Sequence, residues 1–195
     1  MDVTAVAEAV ERARHGDREG LGDLYEAFGR RVFGLCRHLL RSPEAAEDAR
    51  SDVFARLPSA ITRYDAALPF DRWLLSVASH HCLDVLRRRR LETRLFASEP
   101  LESELAETVA AETGPGRSPL AGVLAEEGRD RVRDALARLP ERHRIALVLR
   151  YYGELSYDEI AAQLGLTRNH VATLIFRGKQ ALRRLLADLD ERTPP

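Results

Sequence analysis

The chain is short of the residues that mark several kinds of protein. Its 195 residues include two cysteines, Cys36 and Cys82, too few for a disulfide framework. Both lie near histidines (His38; His80 and His81). The spacings C-x-H and H-H-C match no usual zinc ligand pattern, so both are read as buried free thiols and no metal site is expected. No apolar run approaches the ~20 residues that span a bilayer, so no membrane insertion is expected. Met1-Asp2-Val3-Thr4 offers no basic start before an apolar block; without an export signal the chain is assigned to the cytoplasm. A Gly-rich phosphate loop, a nucleophile–base constellation and a metal cluster are all missing, which points away from an enzyme and from any cofactor. Lysine is almost absent as well: one, Lys179, against 29 arginines. GC-rich coding and selection for the forked guanidinium contact with phosphate both fit that bias.

What is present is charge, unevenly spread. The formal net charge is −1, but this is a cancellation between segments. Arg87–Arg90 is an unbroken basic block. Residues 92–127 carry eight acidic and two basic side chains, and residues 129–186 carry six acidic and twelve basic. Four adjacent cations repel one another unless something anionic lies close by, and a basic C-terminal third suits a polyanionic partner.

Apolar spacing predicts helices almost throughout. Val3, Val6, Ala7 and Val10 recur at helical spacing within residues 3–14, and Gly16-Asp17 interrupts them. A second stripe runs through Leu21, Leu24, Tyr25, Phe28, Val32, Leu35, Cys36 and Leu39, in residues 21–40. Ser42-Pro43-Glu44 supplies an N-cap, a first-turn proline and an acid beside the helix N-terminus, for a helix to about residue 57, before Pro58. Residues 59–68 read as a loop or short turn. A long helix over residues 69–91 turns Phe70, Trp73, Leu74, Val77, Ala78, Leu83 and Leu86 toward a core. Residues 92–117 form an acidic linker ending in Gly114-Pro115-Gly116, with a transient amphipathic helix over 101–111. Ser118-Pro119 restarts order, and helices follow at 120–139, 141–151, 157–164 and 168–189. The expected fold is all-α: two small helical domains on a flexible acidic linker.

Residues 155–185 carry a helix-turn-helix pattern. Ser156-Tyr157-Asp158-Glu159 is a capping box. Ala161 is small where two helices must cross, Gly165 suits a turn at positive φ, and Thr167 caps the second helix. Leu164, Leu166, Val171 and Ile175 pin that helix to the first. In such a motif the second helix enters the major groove by its N-terminal half, making Arg168, Asn169, His170, Ala172, Thr173, Phe176 and Arg177 the candidate base readers. Lys179, Arg183 and Arg184 are either phosphate contacts or solvated charge.

Three segments in this order resemble the bacterial sigma factors, specifically the compact extracytoplasmic-function type of the sigma-70 family. Ala45-Ala46-Glu47-Asp48-Ala49-Arg50-Ser51-Asp52-Val53-Phe54 resembles the polymerase-binding segment. Phe70-Asp71-Arg72-Trp73-Leu74-Leu75-Ser76-Val77-Ala78 through Arg90 resembles the helix that melts the promoter and reads its minus-ten element. Leu139-Pro140-Glu141-Arg142-His143-Arg144, followed by Leu155-Ser156-Tyr157-Asp158-Glu159-Ile160-Ala161, resembles the start of the minus-thirty-five reader.

The resemblance implies a division of labour. Residues 1–91 would bind core polymerase through Asp48, Ser51, Asp52 and Phe54. A loop at about residues 63–69 would capture an unpaired base flipped from the non-template strand. Tyr64, Asp65 and Phe70 suit such a pocket, since a splayed base needs an apolar wall and a hydrogen-bond partner. Trp73, His80, His81, Arg87 and Arg88 complete the minus-ten set, with His80, His81 and Arg87–Arg90 tracking the backbone. By spacing alone, Phe70 and Trp73 read as core. Residues 92–117 would be the linker and 118–195 the minus-thirty-five domain. The implied partners are core RNA polymerase, promoter DNA and an anti-sigma factor.

The sequence departs from the family pattern at three places. Ser51-Asp52 stands for the usual Gln-Glu, Ser76 and His80 stand where Arg and Asn are common, and Ala172 and Leu174 occupy positions that are often basic. Losing two such contacts would weaken minus-thirty-five binding and its salt dependence. The competing reading is a stand-alone helix-turn-helix regulator that binds duplex DNA without polymerase. A simple repressor has no need of the segments around Asp48–Phe54 and Phe70–Arg90.

Overall fold

The computed structural model describes residues 2–96 and 126–191, with side chains for 2–92 and 131–188. These form two compact units, one within residues 1–97 and one within 98–195. All regular structure among the described residues is helical.

The N-terminal unit is built on α2 (Arg18–Leu40), against which α1 (Val3–Arg14), α3 (Pro43–Ala60) and α4 (Phe70–Phe96) all pack. The seam of α2 is Leu24, Val32, Leu35, Cys36 and Leu39, each fully buried. The helices α1, α2 and α3 each start on a side chain that satisfies an orphan amide. Asp2 accepts from Ala5, Asp17 from Glu19 and Ser42 from Ala45. The Asp17 cap starts α2 three residues before the sequence stripe does.

The α1 stripe differs from the expected one. Val3 is 87% exposed and Ala7 is exposed, whereas Ala9, Val10 and Ala13 are buried. Close approach decides this rather than apolarity. A Cβ at Gly20 would lie 2.8–2.9 Å from Arg12 Cβ, the Ala13 nitrogen and the Ala9 oxygen, so α1 rests on α2 by its small residues. The α3 helix runs through Pro58 to Ala60. Without an N–H, Pro58 cannot donate to Phe54 O, so it costs α3 one intrahelical bond, and the helix ends two residues later. A 3₁₀ turn, Ile61–Arg63, then leads to the loop before α4. That helix continues to Phe96, past the expected linker start at Glu92. The remaining linker readings, including the helix at 101–111 and the Ser118-Pro119 restart, lie outside the described residues.

Polar groups are also buried in this unit. Cys36 and Cys82 are free and buried, and they meet between α2 and α4. The Cys82 thiol is pushed far up by its hydrogen bond with Cys36 and by burial. The sequence offered no sign of this pairing, since the two lie 46 positions apart in the chain. His81 is buried on α4, with Nε2 3.4 Å from an Asp52 carboxylate oxygen on α3.

In the C-terminal unit, α5 (Glu126–Arg138), α6 (Glu141–Tyr151) and α7 (Tyr157–Leu164) pack on α8 (Arg168–Glu191). Leu149, Leu155, Ile160 and Ile175 are among its most buried side chains. The turn between α7 and α8 is left-handed at Gly165 (φ +67°, ψ +36°). Ala161 O accepts from the amides of both Gly165 and Leu166, which closes the end of α7.

Three outcomes are expected. Gly20→Ala gains ~0.5–1 kcal/mol of helix propensity but meets backbone, and overpacking costs ~1–3 kcal/mol; the clash wins. Trp73, the sole tryptophan, reports this unit alone, and its fluorescence melt should fall by several degrees. Gly165→Ala adds a Cβ into open space, so only the left-handed backbone costs, ~1–2 kcal/mol. Gly165→Asn should lose less, read as the helical ellipticity of the C-terminal unit against denaturant.

The third concerns pH. Burial holds the His81 pKa below its ordinary 6.5, and Arg56 and Arg88 add to this against the opposing pull of Asp52 and Asp84. The unfolded chain therefore binds this proton more readily than the folded one. Stability from His81 is full above about 6.5 and is lost as pH falls toward the folded value. The Trp73 melt of His81→Gln should show a shallower acid decline than the wild type.

Candidate nucleic-acid interface

The N-terminal unit presents an acidic helix face, a ring-lined loop and an arginine-tipped helix. On α3, Asp48, Ser51 and Asp52 are all exposed, and their i, i+3 and i+4 spacing puts them on one side. Phe54 is half-buried instead, edge-on to Tyr25 with centroids 4.9 Å apart. The Arg50 guanidinium lies over Tyr25 (5.1 Å) and Phe33 (5.7 Å) and pairs with Glu47. Arg50 thus supports the α3 face from behind.

Residues 64–69 form the loop between the 3₁₀ turn and α4. The Tyr64 ring meets Phe70 (5.3 Å, 86°) and Trp73 (5.2 Å, 49°), and Phe70 meets Phe28 at 5.4 Å. Such tilted and edge-on pairs are the favoured ring geometries. Burial pushes the Tyr64 phenol up, and its hydroxyl donates to Leu68 O at 2.6 Å. Asp65 Oδ1 accepts from the Ala67 amide at 2.9 Å, and Leu68 N–H donates to Asp65 O. This Asx-type turn leaves Asp65 and Leu68 exposed. Phe70 is buried, so it backs the ring cluster rather than facing solvent, while Trp73 is half-buried. The first turn of α4 is tied to α2 by the Arg31–Asp71 ion pair.

Farther along α4, His80 is exposed, its Nδ1 2.9 Å from Ser76 O. His81, one residue on, is buried. It therefore cannot touch a DNA backbone as the sequence reading had it; the 100° step between neighbouring residues turned it into the core. Arg87, Arg88, Arg89 and Arg90 are exposed, and the same step fans them around the helix. Arg87 also pairs with Asp84 at 2.8 Å.

In the C-terminal unit the capping box is complete. Ser156 Oγ accepts from Glu159 N–H at 3.2 Å, and Glu159 Oε2 accepts from Ser156 N–H at 2.7 Å. Arg150 donates to Leu155 O at 2.9 Å and lies 5.4 Å from the Tyr157 ring centroid, fixing the approach to α7. Thr167 Oγ1 accepts from His170 N–H at 3.3 Å, which caps α8.

At the start of α8, Arg168 and Asn169 are exposed and His170 is half-buried. One turn on, Ala172, Thr173 and Leu174 are all buried. The Thr173 hydroxyl donates to Asn169 O at 3.0 Å, so it is already engaged. Ala172 and Thr173 are therefore recessed and do not stand as base readers. Leu174 is a core residue and not a lost phosphate contact. Helical phase cannot foresee this, because it gives direction and not the height of neighbouring side chains. Phe176 is 46% exposed and Arg177 is exposed. Gly178 lets the helix lie on α6, where an added Cβ would meet Leu147 and His143 at 3.2–3.3 Å. The outer face continues through Gln180, Arg183 and Arg184. Arg168 also pairs with Asp158 at 3.7 Å; an exposed pair of this kind contributes ~0–1 kcal/mol and can open toward a ligand. Among the described residues, no group of three or more His, Cys, Asp or Glu side chains could hold a metal ion. No described helix is long and apolar enough to cross a membrane.

Comparison with known proteins places these features. The model of Sigma-70 region 2 matches residues 24–92, and that of Sigma-70 region 4 matches residues 129–182. The chain is 27% identical to the ECF RNA polymerase sigma factor SigW of Bacillus subtilis, over 94% of this chain and 98% of that one. It is 28% identical to the RNA polymerase sigma factor CarQ of Myxococcus xanthus, over 93% and 97%. Among solved structures, CnrH in complex with the cytosolic domain of CnrY is similar at 22% identity, with a TM-score of 0.56 over 97% of this chain and 99% of that one. The sigma factor RpoE in complex with the anti-sigma factor NepR, from Bartonella quintana, is similar at 17% identity, with a TM-score of 0.57 over 85% and 96%. These last two likenesses are of fold. Both region models come from one family and together match more than half of the chain, and SigW, matched nearly end to end, is an ECF sigma factor. The chain belongs to the sigma-70 family of RNA polymerase sigma factors, in its extracytoplasmic-function (ECF) branch.

Proposed function

We propose that this chain is a non-catalytic specificity subunit that binds core RNA polymerase in the cytoplasm and directs it to promoters. Residues 1–91 serve polymerase binding and the minus-ten element, 92–117 connect, and 118–195 serve the minus-thirty-five element. The observation that carries this is the pairing, in one chain, of a ring-lined loop beside an exposed acidic helix with a fully capped helix-turn-helix. A duplex-only regulator needs the second and not the first.

The roles follow from exposure. Asp48, Ser51 and Asp52 form the contact face for polymerase, with Phe54 holding α3 in place. Tyr64 and Asp65 line the pocket for an unpaired base, with Trp73 as its wall and Phe70 packed behind the rings. The phenol ring offers a stacking surface, worth ~1–3 kcal/mol per base, and the carboxylate offers hydrogen-bond acceptors. His80 and Arg87–Arg90 follow the phosphate backbone, and their fan suits a strand that curves around the helix end. On α8, Arg168, Asn169, His170, Phe176 and Arg177 face the major groove, Arg favouring guanine and Asn favouring adenine. An anti-sigma factor would have to cover these same α3 and α8 faces to silence the protein.

The direct test is run-off transcription from a pool of genomic fragments with purified core polymerase. Discrete starts that depend on this chain, sharing two spaced elements, are expected; tight duplex binding with no affinity for core polymerase would sink the proposal. Asp48→Arg with Asp52→Arg should weaken core binding at least tenfold by charge reversal, with the Trp73 melt little changed. Asn169→Ala should cost ~1–3 kcal/mol at one minus-thirty-five position and relax the preference there. In contrast, Thr173→Ser should leave the sequence preference of minus-thirty-five binding unchanged, read by competition with single-base variants.

A further inference from the structure

We infer that Arg14, on a helix ahead of the segment matched by the family model, is a positioning residue for the base-capture loop. This deepens the proposed reading and rests on it. The matched region 2 begins at residue 24, so α1 stands outside it. One side chain nevertheless joins α1 to the loop, 50 residues away in sequence. Arg14 Nη2 donates to the carbonyl oxygen of Tyr64, and Nε donates to that of Ile61 at 3.4 Å. Nη1 is held by Glu11 Oε1 at 2.8 Å, which fixes the fork from the α1 side. The guanidinium carbon also lies 5.7 Å from the centroid of the Tyr64 ring.

The chemistry fits a clamp. The 3₁₀ turn ends a helical run, and the carbonyls at such an end carry partial negative charge; Ile61 O accepts from the Tyr64 amide and has a second lone pair for Arg14. A planar cation with several donors can bond two of them and still lie over a ring, which a lysine ammonium cannot do. What is clamped is the point where the loop leaves the turn. Tyr64 in turn holds the far side of the loop through its hydroxyl bond to Leu68 O, and its ring leans on Phe70 and Trp73. Arg14 therefore sets the backbone position and ring tilt of Tyr64, and Tyr64 sets the width of the pocket. The clamp has a firm base, since Gly20 lets α1 lie in contact with α2 through Ala9 and Ala13, one residue from Arg14.

The test uses holoenzyme assembled from the full chain and core polymerase. The probe is a single-stranded oligonucleotide carrying the minus-ten element defined by run-off mapping, and four versions differ at the captured base. Arg14→Ala should lower affinity for the preferred oligonucleotide by ~10-fold and flatten the preference at that one base. Preferences at the other positions, and affinity for core polymerase, should stay unchanged. Arg14→Lys keeps the charge and stem and guards against loss of folding; its selectivity should fall between those of Arg14→Ala and wild type. A merely structural role would lower the melting temperature and all affinities together, leaving base preference intact, and that result overturns the inference. Unchanged selectivity in a folded Arg14→Lys and Arg14→Ala overturns it as well. If the wild-type holoenzyme itself shows no preference for any base, the reading of the loop fails first and the inference falls with it.

Discussion

The apolar seam of α2 is the constraint on which the N-terminal unit depends. A unit of under a hundred residues has little core to spare, and here a single helix packs against each of the other three. Leu24, Val32, Leu35, Cys36 and Leu39 are fully buried because α1, α3 and α4 close on them from different sides. Each of those three helices turns its inner face to the seam and its outer face to solvent. The exposed acids of α3, the loop ahead of α4 and the arginines at its far end are all carried by helices whose rotation α2 has fixed.

The C-terminal unit solves the same problem with α8 as the shared helix. A helix proposed to read DNA must also serve the core, and α8 divides buried from exposed positions along its length. Val171, Ala172, Thr173, Leu174 and Ile175 are buried in succession, while Arg168, Asn169, Phe176 and Arg177 project on either side of that stretch. The exposed surface of this part of α8 is thus two patches with a recessed floor. Ala172 and Thr173 keep that floor low, so larger side chains there would alter the depth of the surface as well as its chemistry.

Electrostatics in this protein is local. A net charge near zero says little, because opposite charges are assigned to different surfaces: carboxylates on α3, guanidinium groups at the end of α4 and along α8. Several arginines do not face outward as free cations at all. Arg50 lies over Tyr25 and Phe33, Arg150 over Tyr157 and Arg14 against Tyr64. Their flat, weakly hydrated cations stack on rings and bond carbonyls in ways that an ammonium could not.

The helices and their ends were legible in the sequence because they rest on short-range physics. Ser42, Ser156 and Thr167 cap their own neighbours, Gly165 turns its own backbone, and the 3.6-residue period marks the stripe of α2. The family resemblance was legible for a similar reason, being carried by contiguous segments such as Ala45–Phe54 and Phe70–Arg90. The tertiary structure alone decided what depends on distant parts of the chain. It turned His81 inward against Asp52, paired Cys36 with Cys82, recessed Thr173 and pinned Tyr64 with Arg14. It also buried Ala9 and Ala13 in place of Val3 and Ala7, since closeness to Gly20 outweighed side-chain apolarity. Local sequence sets the direction in which a side chain leaves its helix; how near the next helix comes, and so whether that side chain meets solvent, is set by packing.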